Sequence, residues 1–149
     1  MKKFKYKLEA LLKLRKFKES RLKVELGVIN SDIAKTQDII VELKKNIEST
    51  YKDQEEVLSS PTSGQMAQFY PRYIQGRRED IINRENLIYS LKKKYQNKLE
   101  ELSLAMAETK VIQKMKDKDF QAYVKNRTKK ENNDLEELYL ITNQHRNNG

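Results

Sequence analysis

The sequence predicts an all-α fold: a long antiparallel two-helix coiled-coil hairpin, forming one elongated domain over 1–149. Three observations carry it. Apolar residues recur at heptad spacing in two long stretches, both prolines fall near the middle of the chain, and charge is too dense for a thick globular core. Of the 149 residues, 36% are charged and 37% hydrophobic, against roughly 25% charge in an ordinary globular protein. Few glycines and prolines, and a repeating pattern of Leu and Ile, favour helix over disorder.

The first helix is expected over about 4–58. From Leu22 its seam runs Leu26, Ile29, Ile33, Thr36, Ile40, Leu43, Ile47, Thr50, Gln54 and Val57, alternating steps of four and three. Extended backwards, the same register meets Leu12 and Leu8 but also Arg15 and Glu19, so the seam is defective towards the N-terminus. Gly27, inside this helix, costs roughly 1 kcal/mol relative to Ala and marks a soft spot.

A tip is expected over 59–71, in the stretch SSPTSGQMAQFYPRYIQGR. Pro61 and Pro71 lack an amide hydrogen and disfavour helix at the residue before them. Ser59, Ser60, Thr62 and Ser63 bring capping and turn chemistry, and Gly64 permits positive φ. The second helix then spans about 72–142, with a seam at Ile88, Leu91, Tyr95, Lys98, Leu102, Ala105, Thr109 and Ile112. Beyond it the pattern shifts phase, near Lys116, towards Phe120, Tyr123, Arg127, Leu135 and Leu138. Folding back at such a tip sets Tyr51 near Glu85.

Catalysis finds no support in the residues. The chain lacks a phosphate-binding P-loop, GxGxxG and HExxH, and it contains no cysteine, so no thiol nucleophile or Cys-based zinc site exists. His145, the one histidine, reads as a surface residue, and neighbouring carboxylates such as Glu100 and Glu101 diverge around a helix. No enzyme activity, cofactor or metal is expected. The lysine-rich opening has no continuous apolar run after it, and no segment has the ~18 apolar residues of a membrane span, so a cytoplasmic protein is expected.

Charge is uneven. Residues 1–30 carry ten Lys/Arg against three acidic residues, and residues 31–60 carry four against seven. Such a basic end suits an acidic partner: protein, nucleic acid or anionic membrane. Lys13, Lys16, Lys18, Arg21 and Lys23 are the candidate docking cations, although they equally serve as the solvated face of a helix. Phe69, Tyr70 and Tyr73 are a candidate tip anchor, or the closing layer of the coil, with Tyr51 nearby.

The opening FKYKLEALLKLRKFKES, the proline-interrupted midpoint followed by YIQGRREDI, and a Lys/Glu-rich second helix of matching length together resemble the FliJ family of the flagellar type III export apparatus. The resemblance covers nearly the whole chain. It implies a coiled coil similar to the central stalk of rotary ATPases, which binds the hexameric export ATPase and promotes its assembly. It also implies contact with the cytoplasmic domain of the membrane export gate, transfer of export chaperones, and a place at the inner-membrane face of the flagellar base. The family's gate contacts match Leu43, Ile47 and Tyr51 on the first helix and Tyr73, Arg77, Asp80 and Arg84 on the second. Tyr51 and Tyr73 keep a similar aromatic character; Arg77, Asp80 and Arg84 depart from the more apolar family pattern. By analogy with the rotary stalk, the end bearing both termini would enter the ATPase ring. The equivalent stalk of a virulence-type secretion system, a basic nucleic-acid-binding coiled coil and a homodimer with arms paired between chains are the alternatives.

Overall fold

The structure, a computed structural model, describes residues 2–148. It consists of two helices, α1 (Glu9–Leu58) and α2 (Gly64–Asn147), with no strand among the described residues. The all-α class expected from the sequence is therefore the observed one. The chain divides into two compact units: Met1–Ser20 with Ser103–Gly149, and Arg21–Leu102.

In the unit Arg21–Leu102, α1 and α2 pack antiparallel. Glu25 meets Lys98 at 3.0 Å, and nearer the turn Asn46 accepts a hydrogen bond from the Tyr73 hydroxyl at 2.9 Å. All the seam positions expected from Leu22 to Val57 are buried or half-buried, and Glu25 is the one further position in that span that is not exposed. Each well-buried Leu or Ile contributes ~1.5–3 kcal/mol. Its two threonines are satisfied locally: the Thr36 and Thr50 hydroxyls donate to the carbonyls of Asp32 and Asn46, at 2.8 and 2.7 Å. Facing them, Ile88, Leu91, Tyr95 and Lys98 are half-buried and Leu102 is buried. Lys98 lays its aliphatic stem in the seam and carries its ammonium out to Glu25.

The turn is shorter than the expected tip. α1 ends where the Ser59 and Ser60 hydroxyls donate to the carbonyls of Glu56 and Val57, and Pro61 follows. Ser63 then caps α2, accepting from the Met66 amide at 3.2 Å. Gly64 begins the helix, and no described glycine has positive φ. The expected break at Pro71 is therefore corrected, because Pro71 lies inside α2. Tyr70 and Ile74, on either side of it, are both buried, and their packing outweighs one missing amide hydrogen bond. The earlier start changes the pairing as well. Tyr51 lies beside Arg78, which donates to its hydroxyl at 2.7 Å, rather than beside Glu85.

In the unit Met1–Ser20 with Ser103–Gly149, the helix expected from about residue 4 starts at Glu9. Residues 2–6 are non-helical, and their alternation decides why: Phe4 and Tyr6 turn inward while Lys3, Lys5 and Lys7 remain exposed. Tyr6 joins Leu12 and Ile112 in a small core covered by Phe4, Leu8 and Leu11. Its hydroxyl donates to the Ile112 carbonyl at 3.2 Å. Phe4 meets Phe120 edge-on at 5.3 Å and Tyr123 at 5.5 Å, and the Tyr123 hydroxyl donates to the Lys2 carbonyl at 2.7 Å. Arg15, one of the two polar breaks in the seam, pairs with Glu108 at 2.6 Å, and Glu9 pairs with Lys116 at 2.8 Å. Ala105, Thr109 and Ile112 are buried, and Lys116 and Tyr123 continue their original phase. Of the shifted set expected beyond Lys116, Phe120 and Tyr123 pack on Phe4, whereas Arg127, Leu135 and Leu138 are exposed, and α2 runs unbroken through the region. The second helix continues to Asn147 rather than 142.

Candidate partner-binding surfaces

Within Arg21–Leu102, an open groove is lined by Asp38, Ile39, Glu42, Leu43, Asn46, Tyr73 and Arg77. Three of the candidate gate residues, Leu43, Tyr73 and Arg77, therefore share one surface. Its geometry is set by a chain of contacts: Tyr73 is anchored to Asn46, the Arg77 guanidinium sits 5.2 Å from the Tyr73 ring centre, and Arg77 pairs with Asp80 at 3.2 Å. Ile47 is half-buried in the seam, and Tyr51 is tied to Arg78. Arg84 is exposed and lines no part of this groove. Asp38, Ile39, Glu42 and Asn46 were not legible as members of the surface. Their signal is the helical spacing of Ile39, Leu43 and Asn46 on one flank of α1, which only the partner helix reveals as a groove.

The aromatics near the turn separate by role. Tyr70 is buried in the helix contact, whereas Phe69 is 53% exposed and stacks on Tyr73 at 5.7 Å. Phe69 is thus the member of the trio that presents an outward apolar face, beside a groove lined by Gln65, Gln68, Arg72 and Tyr73.

The five candidate cations do not gather. At about 100° per residue, Lys13, Lys16 and Lys18 spread over about 200° of the helix, and Arg21 and Lys23 lie about 160° apart. Lys13, Lys16 and Lys18 fall in one unit, and Arg21 and Lys23 in the other, where Arg21 approaches Glu25 at 3.9 Å. Charge is concentrated at a larger scale. Met1–Ser20 with Ser103–Gly149 holds seventeen Lys/Arg against nine Asp/Glu, and Arg21–Leu102 holds fourteen against thirteen.

A surface that the periodicity did not single out lies at the end of α2. From Val124 to Asn148 every position except Asn143 is exposed. Leu138, Tyr139, Leu140 and Ile141 occupy consecutive positions there and so point all around the helix, with Tyr139 67% exposed. The run LYLI was visible in the sequence but fits no heptad, and the seam reading passed over all but Leu138.

Electrostatics support the helix contacts rather than chemistry. The Lys116 ammonium, hydrogen-bonded to Glu9, holds that carboxyl below its ordinary value near 4.5, and Lys98 does the same for Glu25. In return Glu25 raises Lys98 above its ordinary 10.5. Burial pushes the Tyr6 phenol up, with Asp119 and Glu9 adding to the effect, so it remains a donor to Ile112. No group of three or more His, Cys, Asp or Glu among the described residues is placed to hold a metal.

Two helices paired by a heptad seam, with open grooves and exposed side chains as their main surface features, define a helical-hairpin coiled-coil protein. The family model for the flagellar FliJ protein matches residues 4–148, and the chain belongs to the FliJ family. It is therefore a component of the flagellar type III protein export apparatus, in a family that is non-catalytic. No helix among the described residues is long and apolar enough to cross a membrane. Comparisons with curated proteins and with solved structures find no match.

Proposed function

We propose that this chain binds the hexameric export ATPase and promotes its assembly, couples it to the cytoplasmic domain of the membrane export gate, and hands on export chaperones, working in the cytoplasm at the inner-membrane face of the flagellar base. The observation that carries this reading is the apolar run Leu138–Ile141, exposed on all sides of α2. A helix that is apolar all round needs a partner that encloses it, and a ring does so where a single facing helix cannot. The excess of cations in the same unit steers it towards an acidic surface, with Lys13, Lys16 and Lys18 contributing. The groove at Leu43, Tyr73 and Arg77 serves the gate, with Ile47, Tyr51, Asp80 and Arg84 around it, and Phe69 offers a further anchor.

ATP turnover and hexamer formation by the cognate ATPase, titrated with the full chain, test this. Both should rise. Replacing Leu138 and Ile141 together by Glu should weaken the effect at least ~tenfold while the helical signal is kept, because neither side chain is packed. No rise at saturating protein would remove the ATPase from the account.

A further inference from the structure

α2 carries, between Leu104 and Lys129, a face without a single acidic residue. At about 100° per residue, Lys110, Lys114, Lys118, Lys125 and Lys129 fall within a sector of about 100°, on the side of α2 away from the buried Ala105, Thr109 and Ile112. All five are exposed, and none takes part in an ion pair among the described residues. Along the border of the lysine row run Leu104, Val111 and Met115, at 68%, 59% and 47% exposure. Three carboxylates lie in this stretch: Glu108 and Asp117 at the two edges of the face, both engaged, and Asp119 past Glu108 towards the packed side, beside Lys2, Lys3 and Lys5. Glu108 accepts from Arg15, and Asp117 accepts from Gln113 at 3.1 Å.

The geometry points to an anionic phospholipid surface as the occupant of this face. A row of lysines over about 28 Å of helix matches a planar array of phosphates. The adjacent Leu, Val and Met side chains distinguish a lipid from other polyanions, since they can enter the headgroup boundary while the lysines extend to phosphate. Nucleic-acid phosphates offer such side chains nothing, and this face has no aromatic residue on which a base could stack. Lys110 and Lys114 flank an open groove that they share with Lys16 and Glu19 of α1, and the row continues past it through Lys118, Lys125 and Lys129. The face lies apart from Leu138–Ile141, so lipid and an enclosing partner need not compete for the same side chains.

Flotation of the full chain with vesicles tests this without any other protein. Phosphatidylcholine vesicles containing phosphatidylglycerol should bind the chain, pure phosphatidylcholine should not, and raised salt should release it. Changing the five lysines to Gln should lower partitioning by more than tenfold. Changing Lys35, Lys44, Lys45, Lys92 and Lys93 to Gln removes the same charge from Arg21–Leu102 and should leave most of the binding. Leu104→Gln with Val111→Gln and Met115→Gln should weaken binding several-fold at low salt, with circular dichroism confirming that helix is retained. Three results would overturn the proposal: no binding to anionic vesicles, equal loss in both five-lysine variants, or tighter binding to duplex DNA than to vesicles at matched phosphate.

Discussion

At Gly27 an added methyl group would meet nothing within 4 Å, and the residue sits in the middle of α1 without positive φ. Gly27→Ala should therefore stabilise the protein by ~0.5–1 kcal/mol, read as a higher denaturant midpoint. Leu12 lies at the other extreme. It is 1% exposed in the core with Tyr6 and Ile112, and Leu12→Ala should cost ~2–5 kcal/mol in the same titration. Which residues were legible follows from periodicity. Leu22, Leu26, Ile29 and Ile40 belong to a pattern repeated over five heptads, and all are buried as that pattern requires. Tyr6 and Phe4 alternate with lysines over too few residues to outweigh the helical pattern that follows them. Their inward orientation depends on Ile112, Phe120 and Tyr123, more than a hundred residues away in sequence.

At the scale of elements, Pro71 shows how packing overrides a local rule. The ring removes the amide that would bond the Ala67 carbonyl, yet α2 begins seven residues earlier, because Ser63 caps it and Tyr70 and Ile74 are buried. Pro71→Ala should restore that bond and stabilise α2 by ~1–3 kcal/mol, measured by thermal unfolding. No unfolding shift would mean that the helix bends to satisfy the carbonyl by another route. Ion pairing between the helices gives a pH signature. Glu9 and Glu25 are held below their ordinary values, so each contributes stability that is complete above the unfolded-state pKa near 4.5 and lost as pH falls through the lower folded value. Melting temperature should therefore fall on acidification below about pH 5, and Glu9→Gln with Glu25→Gln should flatten that fall. Lys98 acts in the opposite direction: its contribution is lost only as pH rises beyond 10.5, through its raised value. These pairs were hidden in the sequence, because the register between the helices depends on a turn of five residues rather than the expected thirteen.

For the molecule as a whole, the two-helix architecture was legible because a seam, a proline-bearing midpoint and a second seam can be arranged in few ways. The candidate surfaces were less so. Leu43, Tyr73 and Arg77 come together because α1 and α2 pack side by side there, and the spread of Lys13, Lys16 and Lys18 around the helix shows that a run of cations in sequence need not form a patch. The apolar LYLI run and the lysine face of α2 became readable only once Tyr123 was seen as the last heptad-seam position in α2 that α1 and its N-terminal segment cover. The groove and every contact between α1 and α2 depend on one chain folding back upon itself rather than pairing with a second copy. The chain has no cysteine, so Glu25→Cys with Lys98→Cys provides a unique pair of thiols at positions whose native side chains meet at 3.0 Å. Treated with a short bismaleimide, this variant should give a cross-linked species of monomer mass at every protein concentration. A product of dimer mass that grows with concentration, with no internal bridge, would contradict the hairpin.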